Sequence, residues 1–159
     1  ASSAISIIVQ YPEYPEIVQK MSELAQEEMS HFQRVHQFIL KRGYKLGKER
    51  KDSYVNELLQ FIKKGESREK ALVDRLLLGA MIEARSCERF KILSENIDDA
   101  ELATFYRELM ESEAGHYTLF ITLARNVLPR EYVDNRWLEW LSYEETIIAK
   151  YGHAEKIHG

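Results

Sequence analysis

The sequence predicts an all-α chain, and three observations carry that prediction. Apolar residues recur at intervals of three and four, prolines and glycines fall at separated points, and no segment keeps the period of two that a half-buried strand requires. With 3 prolines and 7 glycines in 159 residues, the breaks are few and the elements between them long.

Residues 1 to 10, ASSAISIIVQ, read as the tail of a helix. It must end before YPEYPE, where Pro12 and Pro15 remove backbone donors and push their predecessors toward extended geometry. The next helix opens near Pro15 or Glu16 and runs to about Arg42, with Gly43 as its stop. Ile17, Met21, Leu24, Val35, Phe38 and Ile39 form its core-facing stripe. A shorter helix is expected from Ser53 to Lys63, closed by Gly65. The third long helix runs from about Ser67 to Leu93, with Leu72, Leu76, Ala80, Cys87 and Phe90 on one face. SENIDD then breaks the pattern, and Asp98 or Asp99 caps a fourth long helix, 100–127, which Pro129 ends. In the remaining REYVDNRWLEWLSYEETIIAKYG, Trp137, Trp140, Leu141 and Ile148 are expected to pack on the outside.

Two helical hairpins joined by a long connection, 43–66, have the connectivity of a ferritin-like four-helix bundle with a long crossover and additional peripheral helices. At 159 residues the chain is the size of one such domain, 1–159.

The composition, 45% hydrophobic and 30% charged, is that of a soluble globular protein. A single cysteine, Cys87, excludes a disulfide framework or a thiolate cluster made by this chain alone, and a reducing, cytoplasmic setting is expected. The run ALVDRLLLGAMI carries Asp74 and Arg75 and is too short to span a bilayer, so no membrane association is expected. No signal-peptide pattern opens the chain. A formal net charge of -4 argues against a generally basic nucleic-acid coat. Locally, however, KRGYKLGKERK gathers Lys41, Arg42, Lys45, Lys48, Arg50 and Lys51 against one acid, Glu49. Such a run is either a solvated loop or a grip for phosphates.

The chemistry lies in a repeat. LAQEEMSHF, 24–32, aligns with LMESEAGHY, 109–117: Leu24 falls on Leu109, Glu28 on Glu113, His31 on His116 and Phe32 on Tyr117, at a constant offset of 85 residues. Residues three apart on a helix share a face and stand about 4.5 Å apart along its axis. Glu28 with His31, and Glu113 with His116, can therefore each hold one metal ion. Both pairs interrupt an apolar stripe, and buried carboxylates need a counter-charge. A lone Glu-x-x-His is usually a solvated pair, whereas two in one register inside core stripes point to metal. Helix-bundle sites of this type add one Glu from each of the other two helices. Glu83, on the face of Leu76, Ala80 and Cys87, is the bridging candidate, while Glu88 lies about 140° away and suits a salt bridge or solvent. The first helix holds no carboxylate; an offset of 85 from Glu83 falls just ahead of Ala1. Either the chain is cut after its first ligand, which its abrupt helical start favours, or the site is incomplete. Carboxylate and imidazole without thiolate suit iron or manganese better than structural zinc.

IEARSCERF, 82–90, together with EEMSHF and ESEAGHY, closely resembles the bacterial tRNA hydroxylases that act on 2-methylthio-N6-isopentenyl-adenosine, a branch of the ferritin-like di-iron proteins. The resemblance covers nearly all of the chain. It implies two non-haem iron ions held by Glu28, His31, Glu83, Glu113 and His116, with a further glutamate upstream. It implies O2-dependent hydroxylation of the isopentenyl group in the tRNA anticodon loop, with electrons from a separate reductase system. Leu76, Ala80, Cys87 and Phe120 are then candidates for a dry pocket wall, and the basic run from Lys41 to Lys51 for tRNA contacts. A ferritin- or rubrerythrin-like protein that stores iron or reduces peroxide would use the same ligands, although the single cysteine excludes an added thiolate iron domain. Oligomeric state is not legible in the residues.

Overall fold

The computed structural model describes residues 1–48 and 52–151. Among them are six helices and no strand. The chain divides into two compact units, Ala1–Lys51 and Asp52–Gly159.

The first unit is a helical hairpin of α1 (Ser2–Gln10) and α2 (Pro15–Lys41). Pro15 occupies the first turn of α2, where its missing N–H costs nothing. Gly43, at φ +75°, takes the left-handed conformation that closes the helix. Its N–H donates to the Leu40 carbonyl, and that of Tyr44 to the Ile39 carbonyl. Ala4 and Ile7 of α1, and Ile17, Met21 and Leu24 of α2, are buried. The expected stripe fades beyond Leu24: Phe38 and Ile39 are half-buried, and Val35 is 38% exposed.

The second unit holds α3 (Ser53–Gln60), α4 (Arg68–Asn96), α5 (Ala100–Val127) and α6 (Arg130–Tyr151). Side chains of Asp52, Ser67 and Asp99 cap α3, α4 and α5 by accepting backbone N–H bonds. Helix α4 runs through Asn96 rather than stopping at Leu93. The Ser94 hydroxyl and the Asn96 amide donate back to the carbonyls of Lys91 and Ile92, so polar residues that read as a break are absorbed by the helix. From Leu72 to Met81, α4 is buried on nearly every side, as a central helix must be. It packs along α5, with Phe105, Leu109, Phe120, Leu123 and Ala124 as the apolar part of the facing stripe.

Helix α6 departs from expectation. Trp140 is fully buried, whereas Leu141 is exposed and Trp137 and Ile148 are half-buried. The inward stripe is Val133, Arg136, Trp140, Glu144 and Ile147, which includes two charged residues. Arg136 spans the carboxylate of Asp74 on α4 with two bonds, at 2.7 and 2.9 Å, and donates a third to the Phe61 carbonyl. The backbone N–H of Lys63 also donates to Asp74, and the Arg136 guanidinium lies 4.3 Å from the Phe61 ring centroid. Three turns along α4, Arg85 grips the buried Glu144, which also accepts from the Tyr54 hydroxyl of α3.

Removing one partner of a buried, hydrogen-bonded pair leaves a charge uncompensated. Arg136→Met is therefore expected to lower the unfolding free energy by about 3–5 kcal/mol. Lys63→Ala, which removes an exposed partner of Glu139, should cost less than about 1 kcal/mol. Urea denaturation of both variants checks the difference.

Candidate metal centre

Each Glu-x-x-His pair sits where its helix would otherwise present apolar residues. On α5 the inward stripe reads Phe105, Leu109, Glu113, His116, Phe120, at steps of four, four, three and four. Glu113 is 6% exposed and His116 5%. A carboxylate oxygen of Glu113 and a ring nitrogen of His116 lie within 4.8 Å of each other, so one cation between them could take a bond from each. The Ser112 hydroxyl stands 3.4 Å from His116 Nε2, near enough to orient the ring.

On α2 the corresponding pair is more open. His31 Nδ1 is 3.6 Å from Glu28 Oε1, and its Nε2 is 3.9 Å from the more exposed Glu27 carboxylate. Glu28 and His31 are half-buried, directly after the last buried residue of the stripe, Leu24. The repeat in sequence is thus a repeat in secondary structure, although the two pairs differ in exposure.

Glu83 lies on α4, half-buried, one turn after the buried Ala80 and one before Cys87. Glu88 is exposed and paired with Arg85, as its position round the helix predicts. Burial pushes the Cys87 thiol up, and the Glu113 and Glu88 carboxylates add to the effect. The donors available to a cation here are oxygen and imidazole nitrogen, the set that suits iron or manganese.

Of the expected pocket wall, Leu76, Ala80 and Phe120 are buried and Cys87 is half-buried. Sequence reading missed Gly79. A methyl group there would lie 2.8 Å from two ring carbons of Phe120, so the bare α-carbon lets the ring lie against α4. An isolated glycine inside a strong helical pattern was the available signal. An open depression of about 600 Å³, lined by residues such as Phe61, Leu138 and Tyr143, contains none of the candidate ligands. In the basic run, Lys41, Lys45 and Lys48 are exposed, whereas Arg42 is half-buried, donating to the Phe38 carbonyl with its guanidinium 5.3 Å from the Phe38 ring centroid. Arg50 and Lys51 lie outside the described residues.

The family model for tRNA-(MS[2]IO[6]A)-hydroxylase (MiaE) matches residues 1–159. A curated relative from Pseudomonas putida, named tRNA 2-(methylsulfanyl)-N(6)-isopentenyladenosine(37) hydroxylase, is 40% identical over 126 residues, 79% of this chain and 60% of the relative. One of the same name from Salmonella typhimurium is 36% identical over 112 residues, 70% of this chain and 40% of the relative. The chain thus matches 60% or less of the length of these relatives. A solved structure titled protein 43 with aldehyde deformylating oxygenase activity, from Synechococcus, aligns with TM-score 0.84 and 33% identity over 90% of this chain and 70% of that one. The fold class is all-α and ferritin-like, as the connectivity predicted.

Gly79→Ala sets a helix-propensity gain of about 1 kcal/mol against an overpacking cost of about 1–3 kcal/mol. The expected outcome is a net loss of stability that shrinks when Phe120→Leu is combined with it; thermal unfolding of the singles and the double variant measures this coupling.

Proposed function

The chain belongs to the tRNA-(MS[2]IO[6]A)-hydroxylase (MiaE) family, and on that premise we propose a single ferritin-like domain acting as an O2-dependent non-haem di-iron monooxygenase. Its substrate is the isopentenyl group of 2-methylthio-N6-isopentenyl-adenosine in tRNA. In the overall reaction one C–H bond becomes C–OH, with one oxygen atom from O2. The other leaves as water, taking two electrons from a separate donor system and two protons.

The observation that carries this reading is the burial of a carboxylate and an imidazole, Glu113 and His116, one turn apart within an apolar stripe. The same spacing recurs in the same register at Glu28 and His31, which are half-buried. Glu28, His31, Glu83, Glu113 and His116 would hold two irons. When bound, iron supplies the activation of O2 that no side chain of this protein can perform. The chain's own residues do the rest. Glu113 and His116 present their donors from a buried helix face, and Ser112 orients the His116 ring. Leu76, Ala80 and Phe120 keep water from the reacting carbon. Lys41, Arg42, Lys45 and Lys48, with Arg50 and Lys51, take phosphates of the anticodon loop, a single-stranded target whose bases can be splayed from their stack. The resemblance to a solved protein titled with an oxygenase activity supports the same class of chemistry. A cytoplasmic setting follows from the tRNA substrate. No helix among the described residues is long and apolar enough to cross a membrane.

Iron analysis of the natural full-length protein tests the site. About two irons per chain are expected from two Glu-x-x-His halves, with coupled ferric Mössbauer signals. His116→Ala should lose at least half of that iron and all hydroxylation of hypomodified tRNA. One iron or none in the wild type sinks the di-iron reading; iron without hydroxylated nucleoside in digested tRNA points to storage or peroxide reduction.

The basic run makes a separate prediction. Lys45→Ala and Lys48→Ala should each reduce the slope of log affinity against log salt by about 0.7–0.9, measured by fluorescence anisotropy with labelled tRNA. An unchanged slope removes these lysines from the interface.

A further inference from the structure

From Met29 to Lys48 the chain contains no aspartate or glutamate, while Arg34, Lys41, Arg42, Lys45 and Lys48 supply five cations. The acids of α2 all lie before this segment, at Glu16, Glu23, Glu27 and Glu28. Phe38 and Ile39 of this segment are half-buried, but other large apolar side chains stand in solvent. Met29, Phe32 and Leu40 are all about half exposed, and Tyr44 is 69% exposed. Met29, Phe32, His36 and Leu40 follow one another at steps of three, four and four, so they form one stripe along α2, about 16 Å long at 1.5 Å per residue. Phe32 and His36 hold their rings nearly parallel, 12° apart, with centroids 6.3 Å from each other. Tyr44 follows just past the helix end, its backbone fixed by the bond to the Ile39 carbonyl.

A solvated face offers no reason to keep aromatic rings in water, and a protein interface of acidic or mixed character offers none for twenty residues without an acid. An apolar row bordered by cations is what single-stranded nucleic acid requires: π-faces for the bases and cations for the backbone. We propose that the face of α2 that exposes Met29, Phe32 and Leu40, with Phe32, the half-buried His36 and Tyr44 just past the helix end as its rings, is a stacking platform for unpaired bases of the RNA substrate, flanked by phosphate contacts from Lys41, Lys45 and Lys48. This inference rests on the tRNA reading above and extends it from charge to base stacking. Its position is informative. Met29 follows Glu28 and Phe32 follows His31 in the chain, so the stripe runs beside the ligand-bearing face of α2. Bases stacked along it would lie next to the Glu28–His31 pair of the same helix.

The test uses the natural full-length protein loaded with iron and a fluorescein-labelled anticodon stem–loop. Phe32→Ala and Tyr44→Ala should each weaken binding about tenfold, with the salt slope unchanged because no phosphate contact is lost. Phe32→Tyr, which keeps a ring, should bind as the wild type does. Ala variants that retain iron and helix content yet bind within about twofold of wild type overturn the platform, and so does Phe32→Tyr binding as weakly as Phe32→Ala. If another segment of the full-length protein covers this face, the Ala variants lose stability rather than RNA affinity, which also overturns it. A wild-type protein that neither binds nor hydroxylates tRNA fails at the earlier reading, an outcome separable from all of these.

Discussion

Asp74 is a carboxylate in the middle of ALVDRLLLGAMI, the most apolar run of α4, and the architecture of the second unit depends on how that charge is answered. Bringing an ionised carboxylate out of water costs several kcal/mol even after relaxation. The loss is offset only when its oxygens are hydrogen-bonded to donors that are themselves well placed. Arg136 supplies two of those donors in one planar fork, and the Lys63 N–H supplies another. Because these partners come from α6 and from the segment after α3, satisfying Asp74 requires three parts of the chain to assemble. The ring of Phe61 then covers the guanidinium, stacked in turn on Tyr143 at 4.3 Å between centroids. An apolar residue at 74 would pack against any greasy neighbour; a carboxylate there accepts very few.

The same rule governs the candidate metal centre with a different answer. Glu113 and His116 occupy positions that Leu or Phe would otherwise fill, and the neighbouring stripe residues are apolar. Arg136 resolves Asp74 with a protein cation, whereas a carboxylate next to an imidazole at comparable burial suits a cation from solution. Two buried acids on adjacent helices thus mark two roles. One organises the fold, and the other is the signature on which the functional reading stands.

Much of this was legible before the structure. Helix boundaries at Pro15, Gly43 and Asp99 follow from backbone chemistry that acts locally, and α2 and α5 emerge with close to the expected ends. The ligand candidates were legible because they are repeated: an offset shared by Leu24, Glu28, His31 and Phe32 is a pattern that surface charge does not produce. What escaped was non-local. Arg136 and Glu144 look like ordinary surface charges of an amphipathic helix until Asp74 and Arg85, more than fifty residues away, are seen to face them. For that reason the packing residues expected of α6, Trp137, Trp140, Leu141 and Ile148, share only Trp140 with its actual inward stripe of Val133, Arg136, Trp140, Glu144 and Ile147. Gly79 escaped for the converse reason, since its meaning is the absence of a side chain opposite a particular phenyl ring.

The two ion pairs between α4 and α6 also carry directional information. On α4 the acid comes first, at Asp74, and the base follows at Arg85; on α6 the base comes first, at Arg136, and the acid follows at Glu144. Read along both helices in the same sense, every charge meets its opposite. Were α6 laid down head to tail, Asp74 would confront Glu144 and Arg85 would confront Arg136, two like-charge encounters in a poorly solvated place. Apolar packing opposes such a reversal through shape, and the ion pairs add opposition through the sign of charge. The pairs therefore act as a keyed plug: whatever they add to stability, they admit α6 in one direction and reject the reverse.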